Sequence, residues 1–190
     1  RTHTARTVLR VSEGRHDVMV LAWDEATSQV EAWTAGQVVL AVPLWIAARL
    51  LQSPPPALLQ AAAQMHHAPW LVANLQLDEP LVDRVPGAAP SWDNVVYGSA
   101  ALGYVDAMHQ STRPVAGATV LTAYRALAET ERARLLQADW RVWAQATLDD
   151  LATAHPDLAR KVKRFDLMRY GHAMSMPVPG VRGSAALRAL

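Results

Sequence analysis

The chain has 190 residues, 51% of them hydrophobic, and a formal net charge of +1. A chain of this length buries roughly 70% of the surface its unfolded form exposes, so a real core is expected, with one domain and room for a projecting lobe. The near-neutral balance gives no electrostatic basis for binding nucleic acid or an anionic membrane, and the lack of cysteine excludes disulfides, thiolate nucleophiles and Cys-based metal sites.

In chain order, Thr7 to Val11 and Asp17 to Trp23 are β-rich runs separated by the turn-prone Glu13-Gly14-Arg15. Gln29 to Thr34 alternates polar and apolar, as a half-buried strand does. Gln37 to Val42 is a continuous apolar run, the pattern of a strand covered on both faces, and Pro43 ends it. Leu44 to Leu51 predicts a short helix, stopped by Ser53-Pro54-Pro55-Pro56. Ala57 to Met65 holds strong helix formers, and Trp70 to Leu77 predicts a strand. A Pro/Gly-rich loop is expected over Pro80 to Pro90, then strands near Asn94–Tyr97, Gly103–His109 and Thr119–Tyr124. Apolar residues at helical spacing predict one long helical region from Glu129 to Ala154, with Asp139 a restart point after a kink. Asp157 to Lys163 predicts a further turn and Arg164 to Tyr170 a last strand; the tail from Gly180 carries few order signals. The class is α+β, a mixed or antiparallel sheet with strands outnumbering helices.

The longest apolar stretch, Val38 to Leu51, is interrupted by Pro43 and Arg49 and is too short to span a bilayer. No secretory signal opens the chain, and Arg1 is not an initiator methionine, so the sequence is expected to start inside something larger or after processing. The missing cysteines suit cytoplasm and periplasm alike; the cytoplasm is the expected compartment. His66 and His67 are neighbours, and adjacent side chains on a strand point to opposite faces, so no metal site is expected there. No Gly-x-Ser-x-Gly elbow is present for a hydrolase. Trp140 and Trp143, at i and i+3, read as a helix face packed on a sheet.

Three separated segments, in order, resemble the FAD-dependent amine oxidase superfamily. Val8 to Pro43, with QVVLAVPLWIAARLL running from Gln37 to Leu51 across its end, is similar to the family's excursion and the strand returning beside the flavin through an Ala-x-Pro turn. The helix after the proline run leads to a strand ending in Asp78-Glu79-Pro80, like the central strand of the family's substrate domain. Met168 to Gly180, MRYGHAMSMPVPG, is similar to the segment before the family's C-terminal flavin motif. The Gly-rich βαβ fingerprint that clasps the FAD pyrophosphate is not in this sequence, nor is the C-terminal flavin segment. The resemblance therefore implies an internal fragment: residues 1–53 returning to the FAD-binding domain, 54–166 the substrate-binding domain, with helices on one side of its sheet, and 167–190 leading back towards the flavin. Alone, such a fragment is expected to be colourless and inactive.

The resemblance further implies that Val8 contacts the adenine, that Ala41, Val42 and Pro43 lie against the cofactor, and that Tyr170 stands beside the flavin ring. The strand closing at Pro43 and the stretch around Tyr170 would then be two walls of one flavin cleft. Many amine oxidases carry a lysine on the strand ending at Leu77, linked through water to flavin N5; that position falls on Val72 here. Flavin redox chemistry is thus implied more strongly than amine oxidation or rapid reaction with oxygen. His172 and Met174 are candidates to line the substrate cavity, and His172, because histidine titrates near neutral pH, is also the candidate for proton handling. Trp92, Tyr97, Tyr104 and His109 are candidates for the floor of a small-molecule pocket, or else core and strand-edge residues; Asp93-Asn94 reads as turn chemistry. The expected partners are a small-molecule substrate and the missing FAD-binding portions of the same polypeptide. A stand-alone α+β module, binding an apolar small molecule or a protein partner without catalysis, is the alternative.

Overall fold

The computed structural model describes residues 1–82, 91–113 and 115–190, and resolves into two compact units. The first comprises Arg1–His66 and Met176–Leu190, the second His67–Ser175. The loop expected over Pro80 to Pro90 falls largely outside the described residues.

The first unit opens with an antiparallel meander, β1 (Arg6–Glu13), β2 (Val18–Asp24) and β3 (Gln29–Ala35), in the order β1-β2-β3. Gly14 N–H donates to Asp17 O across the first turn. The second turn is an Asx turn. Asp24 accepts from Ala26 N and Thr27 Oγ1, both at 2.9 Å, and from the Arg6 guanidinium, also at 2.9 Å. Burial pushes the Asp24 carboxyl up, but these donors and the Arg6 charge outweigh it and hold it below its ordinary value. Helix α1 (Leu44–Leu50) starts after Pro43, and α2 (Pro56–Gln64) has a proline at its first position, where the missing N–H costs nothing. Val11, Ala47, Leu58 and Ala61 are buried here, with Val181 and Ala186 from the returning tail.

Gln37–Val42 forms no strand: none of these residues joins a ladder, and Val39 is 90% exposed. Apolar continuity signals burial on both faces, but a strand also needs neighbours to bond, and among the described residues this run has none.

The second unit is built on a five-stranded sheet ordered β5-β6-β7-β4-β8. Its strands are β4 (Met65–Leu77), β5 (Asp93–Asn94), β6 (Gly103–Asp106), β7 (Thr119–Ala126) and β8 (Val162–Pro177), and β5, β6, β7 and β4 pair antiparallel in that order. The strand expected near Asn94–Tyr97 shrinks to two residues, and the one expected over Gly103–His109 ends at Asp106. There the Asp106 carboxylate accepts from Met108 N and starts a 3-10 turn. Gly103 has φ +113° and lies against the Asn94 carbonyl, so no Cβ fits. The long helical region divides into a 3-10 turn at Glu129–Glu131, α3 (Arg132–Gln137) and α4 (Trp140–Ala152). The break falls at Ala138, and Asp139 restarts the helix by accepting from Arg141 N at 2.8 Å. A short α5 (Leu158–Lys161) precedes β8, and α6 (Ala185–Arg188) closes the chain.

Strand alternation decides which face of this sheet the helices cover. Leu71, Ala73, Leu75 and Leu77 of β4 are at most 2% exposed and cluster with Leu121, Ala123, Leu151 and Leu158, or with Leu135 and Trp143. Phe165 and Leu167 of β8 pack on the same core. α3 to α5 therefore lie on one face, and the α+β class with helices on one side of an antiparallel sheet holds. Of the two helix tryptophans, Trp143 is in the core as expected, whereas Trp140 stays half exposed with the Arg141 guanidinium over its ring.

Candidate functional site

The face of the five-stranded sheet away from the helices presents side chains from three adjacent strands. β4 contributes Val72, Asn74 and Gln76, the positions between its four buried residues. In the β4–β7 register Val72 stands opposite Tyr124, Asn74 opposite Thr122 and Gln76 opposite Val120. Thr122 Oγ1 donates to Asn74 Oδ1 at 2.8 Å, which leaves the Asn74 amide NH₂ as a fixed donor on this face.

β8 supplies the third row. Its odd-numbered residues belong to the helix side. Besides Phe165 and Leu167, Arg169 Nη1 donates to Leu136 O in the last turn of α3 and to Ala138 O just beyond it, at 3.3 and 2.9 Å, and Gly171 lies against Leu136. The guanidinium caps carbonyls that the helix end leaves unpaired. Met168, Tyr170, His172 and Met174 therefore point to the face that carries Val72 and Asn74. Arg132 of α3 ties the two strands by donating to His67 O of β4 at 2.6 Å and Gly171 O of β8 at 2.8 Å. Tyr170 and Met174 are each 49% exposed. His172 lies edge-on to His67, ring centroids 6.4 Å apart, and Ser175 Oγ lies 3.4 Å from His67 Nε2.

The far end of β4 is anchored electrostatically. Lys161 is buried, forms a 2.7 Å ion pair with Asp157, and also donates to Pro80 O. Asp157 accepts in addition from Val82 N at 3.0 Å. The Lys161 hydrogen bond, partly opposed by burial, lowers the Asp157 pKa to about 2. The Lys163 ammonium beside Asp78, at 2.9 Å, holds that carboxyl below its ordinary range, and Asp78 raises Lys163 in turn.

Of the residues singled out from sequence, Tyr170, His172 and Met174 share this face. Tyr104 is 8% exposed in the core beneath the helices, its hydroxyl 2.6 Å from His155 Nε2, so its side chain is on the opposite side of the sheet. Trp92 and His109 pair near the start of β5 and the end of β6, ring centroids 6.2 Å apart, and Tyr97 is fully exposed in a turn. Asn94 donates to Ser91 O at 3.1 Å, the turn role expected of it. In the first unit, Val8 is 38% exposed at a register irregularity of β1, and Ala41, Val42 and Pro43 are exposed where the chain enters α1. His66 is exposed and His67 buried. Among the described residues, no three His, Asp or Glu side chains are grouped as a metal site, and no helix is long and apolar enough to cross a membrane. Sequence reasoning missed Asn74, Thr122 and Tyr124. The signal was there for Asn74: Leu71-x-Ala73-x-Leu75-x-Leu77 leaves Val72, Asn74 and Gln76 as the other face.

This arrangement defines a one-sided α+β sheet layer with an aromatic and polar open face, and solved structures share its fold. Over 95% of this chain and 39% of theirs, the coordinates match cyclohexylamine oxidase from Brevibacterium oxydans IH-35A with a TM-score of 0.66 at 16% identity. A putrescine oxidase variant redesigned in its cofactor binding matches at 0.62 and 15% identity, over 85% of this chain and 33% of the other. A fatty acid isomerase from P. acnes matches at 0.55 and 15% identity, over 88% and 35%. The chain thus spans well under half the length of these structures. No curated protein sequence matches it. The sequence pattern of the flavin containing amine oxidoreductases matches residues 1–184, and the chain belongs to that family.

Proposed function

We propose that this chain is the substrate-covering part of an FAD-dependent oxidoreductase, in which substrate lies on the open face of the β7-β4-β8 layer and is oxidised by hydride transfer to flavin N5. The observation that supports the reading best is that Tyr170, His172 and Met174 on β8 share, by strand alternation, the open face that carries Val72 and Asn74 further along β4, in a chain of the amine oxidoreductase family. A bound flavin would supply the hydride acceptor, so this chain needs no nucleophile of its own.

The chain's residues suit the flat, apolar part of such a cofactor and not its phosphates. Tyr170 offers an aromatic wall that excludes water, and the exposed, unladdered Gln37–Val42 and Val8 offer apolar backbone, whereas no Gly-rich phosphate cradle is in the sequence. In this reading Tyr170 faces the cofactor, and the FAD-binding portions of the same polypeptide cover Gln37–Val42. The Asn74 amide, held by Thr122, orients a substrate acceptor group. His172 is the group placed to take a proton as the carbon is oxidised, and Val72 leaves an apolar surface where relatives place a lysine.

Anaerobic flavin reduction in the full-length protein tests this. Tyr170→Ala and Asn74→Leu are expected to slow reduction by about tenfold or more through lost positioning, while Tyr104→Phe, on the helix side, leaves it unchanged. Equal rates in all three variants would remove the open face from the reaction.

A further inference from the structure

At the end of the open face, where β4 finishes and β7 begins, a shallow groove of about 270 Å³ is lined by Gln76, Leu77, Arg113, Thr119 and Val120. Gln76 and Val120 are directly opposed residues of the open face, while Leu77 and Thr119 belong to the helix side, so the groove wraps the edge where the open face ends. Arg113 is fixed at its edge by neutral acceptors: Nη2 donates to Ala118 O at 2.9 Å and Nε to Ser111 Oγ at 3.1 Å. Among the described residues no carboxylate pairs with it. Asp106 accepts from Thr119 Oγ1 at 2.8 Å and from Met108 N at 2.9 Å, both at Oδ1. A guanidinium held in place with no anion of its own, beside an apolar floor and a side-chain amide, has the donor set for a carboxylate.

We infer that Arg113 and Gln76 form an anion subsite that takes the carboxylate end of an elongated, otherwise apolar ligand lying along the open face. The length follows from the strand. Gln76 is four residues from Val72, roughly 13 Å at the rise of a β-strand. If oxidation takes place over Val72, a point that rests on the proposed flavin reading, the carboxylate is separated from the reacting carbon by on the order of ten carbon–carbon bonds. Val72, Tyr124 and Val120 give that span an apolar floor, with the Asn74–Thr122 pair as its one polar step.

Decanoate and decanamide, matched in length and differing in charge, are the probes, titrated calorimetrically into the full-length protein. Decanoate is expected to bind at least tenfold more tightly than decanamide, the discrimination of one charge-assisted hydrogen-bonded contact, with the difference shrinking at high salt. Arg113→Gln should abolish the preference and Arg113→Lys should keep most of it. Val120→Trp, which fills the groove, should weaken both probes. Equal affinity for the two probes, or an unchanged preference in Arg113→Gln, overturns the subsite. If the protein carries flavin yet shows no preference for decanoate, the subsite fails and the flavin reading stands. A flavin-free protein with an Arg113-dependent preference keeps the subsite and removes the flavin reading.

Discussion

Replacing Asp157 with asparagine removes the carboxylate paired with Lys161, whose side chain is 6% exposed. The lowering of Asp157 from 3.8 to about 2 corresponds to at most ~2.5 kcal/mol of native preference for the carboxylate. Solvent at the 14% exposed Asp157 side chain screens part of this, leaving about 1–2 kcal/mol. Stranding a buried ammonium adds to the loss, but Lys161 keeps the Pro80 carbonyl and the new amide can still accept from Val82 N, so the total is expected at about 2–3 kcal/mol, the low end for a broken buried pair. In thermal unfolding that is roughly 4–12 °C for a protein of this size. The pH dependence has a fixed sign. A carboxylate whose pKa is lower in the folded state stabilises fully above its unfolded pKa and loses that contribution as pH falls through the folded one. The gap between wild type and Asp157→Asn, followed by tryptophan fluorescence in urea, should be constant above about pH 4 and close between pH 4 and 2. No gap at pH 7, or an undiminished gap at pH 2, would refute the argument.

Tyr104→Phe keeps the ring in the core and deletes the hydroxyl bonded to His155, so a loss of about 1–2 kcal/mol is expected by chemical denaturation. Leu121→Ala opens a cavity at a fully buried site between sheet and helices and should cost about 3–4 kcal/mol in the same assay. Gly103→Ala combines a left-handed backbone with a Cβ driven into the Asn94 carbonyl, and a loss above about 2 kcal/mol is expected, visible as early melting.

Much of the fold was legible because local chemistry and tertiary packing agree. The meander, both proline-bounded helices and the strands at Trp70 and Thr119 follow from periodicity and breakers, and the restart at Asp139 follows from capping. The failures share a physical cause. Gln37–Val42 has the composition of a buried strand, but pairing is a property of neighbours, not of the run itself. Gly103–His109 was cut short because Asp106 caps a 3-10 turn, a side-chain bond that alternation does not report. The open face was half legible. Tyr170, His172 and Met174 came from the resemblance, whereas Asn74, Thr122 and Tyr124 emerge only once register sets β4 against β7. Tyr104 marks the limit of choosing polar aromatics by type: alternation from its Ala123 partner puts it on the helix side.

The visible absorption spectrum of the purified full-length protein tests the central claim most directly. Under the proposed flavin reading the bands of oxidised flavin are expected, altered in Tyr170→Ala, whose ring that reading sets beside the cofactor, and unaltered in Tyr104→Phe. A correctly folded full-length protein without colour, which also fails to take up added FAD, would contradict it.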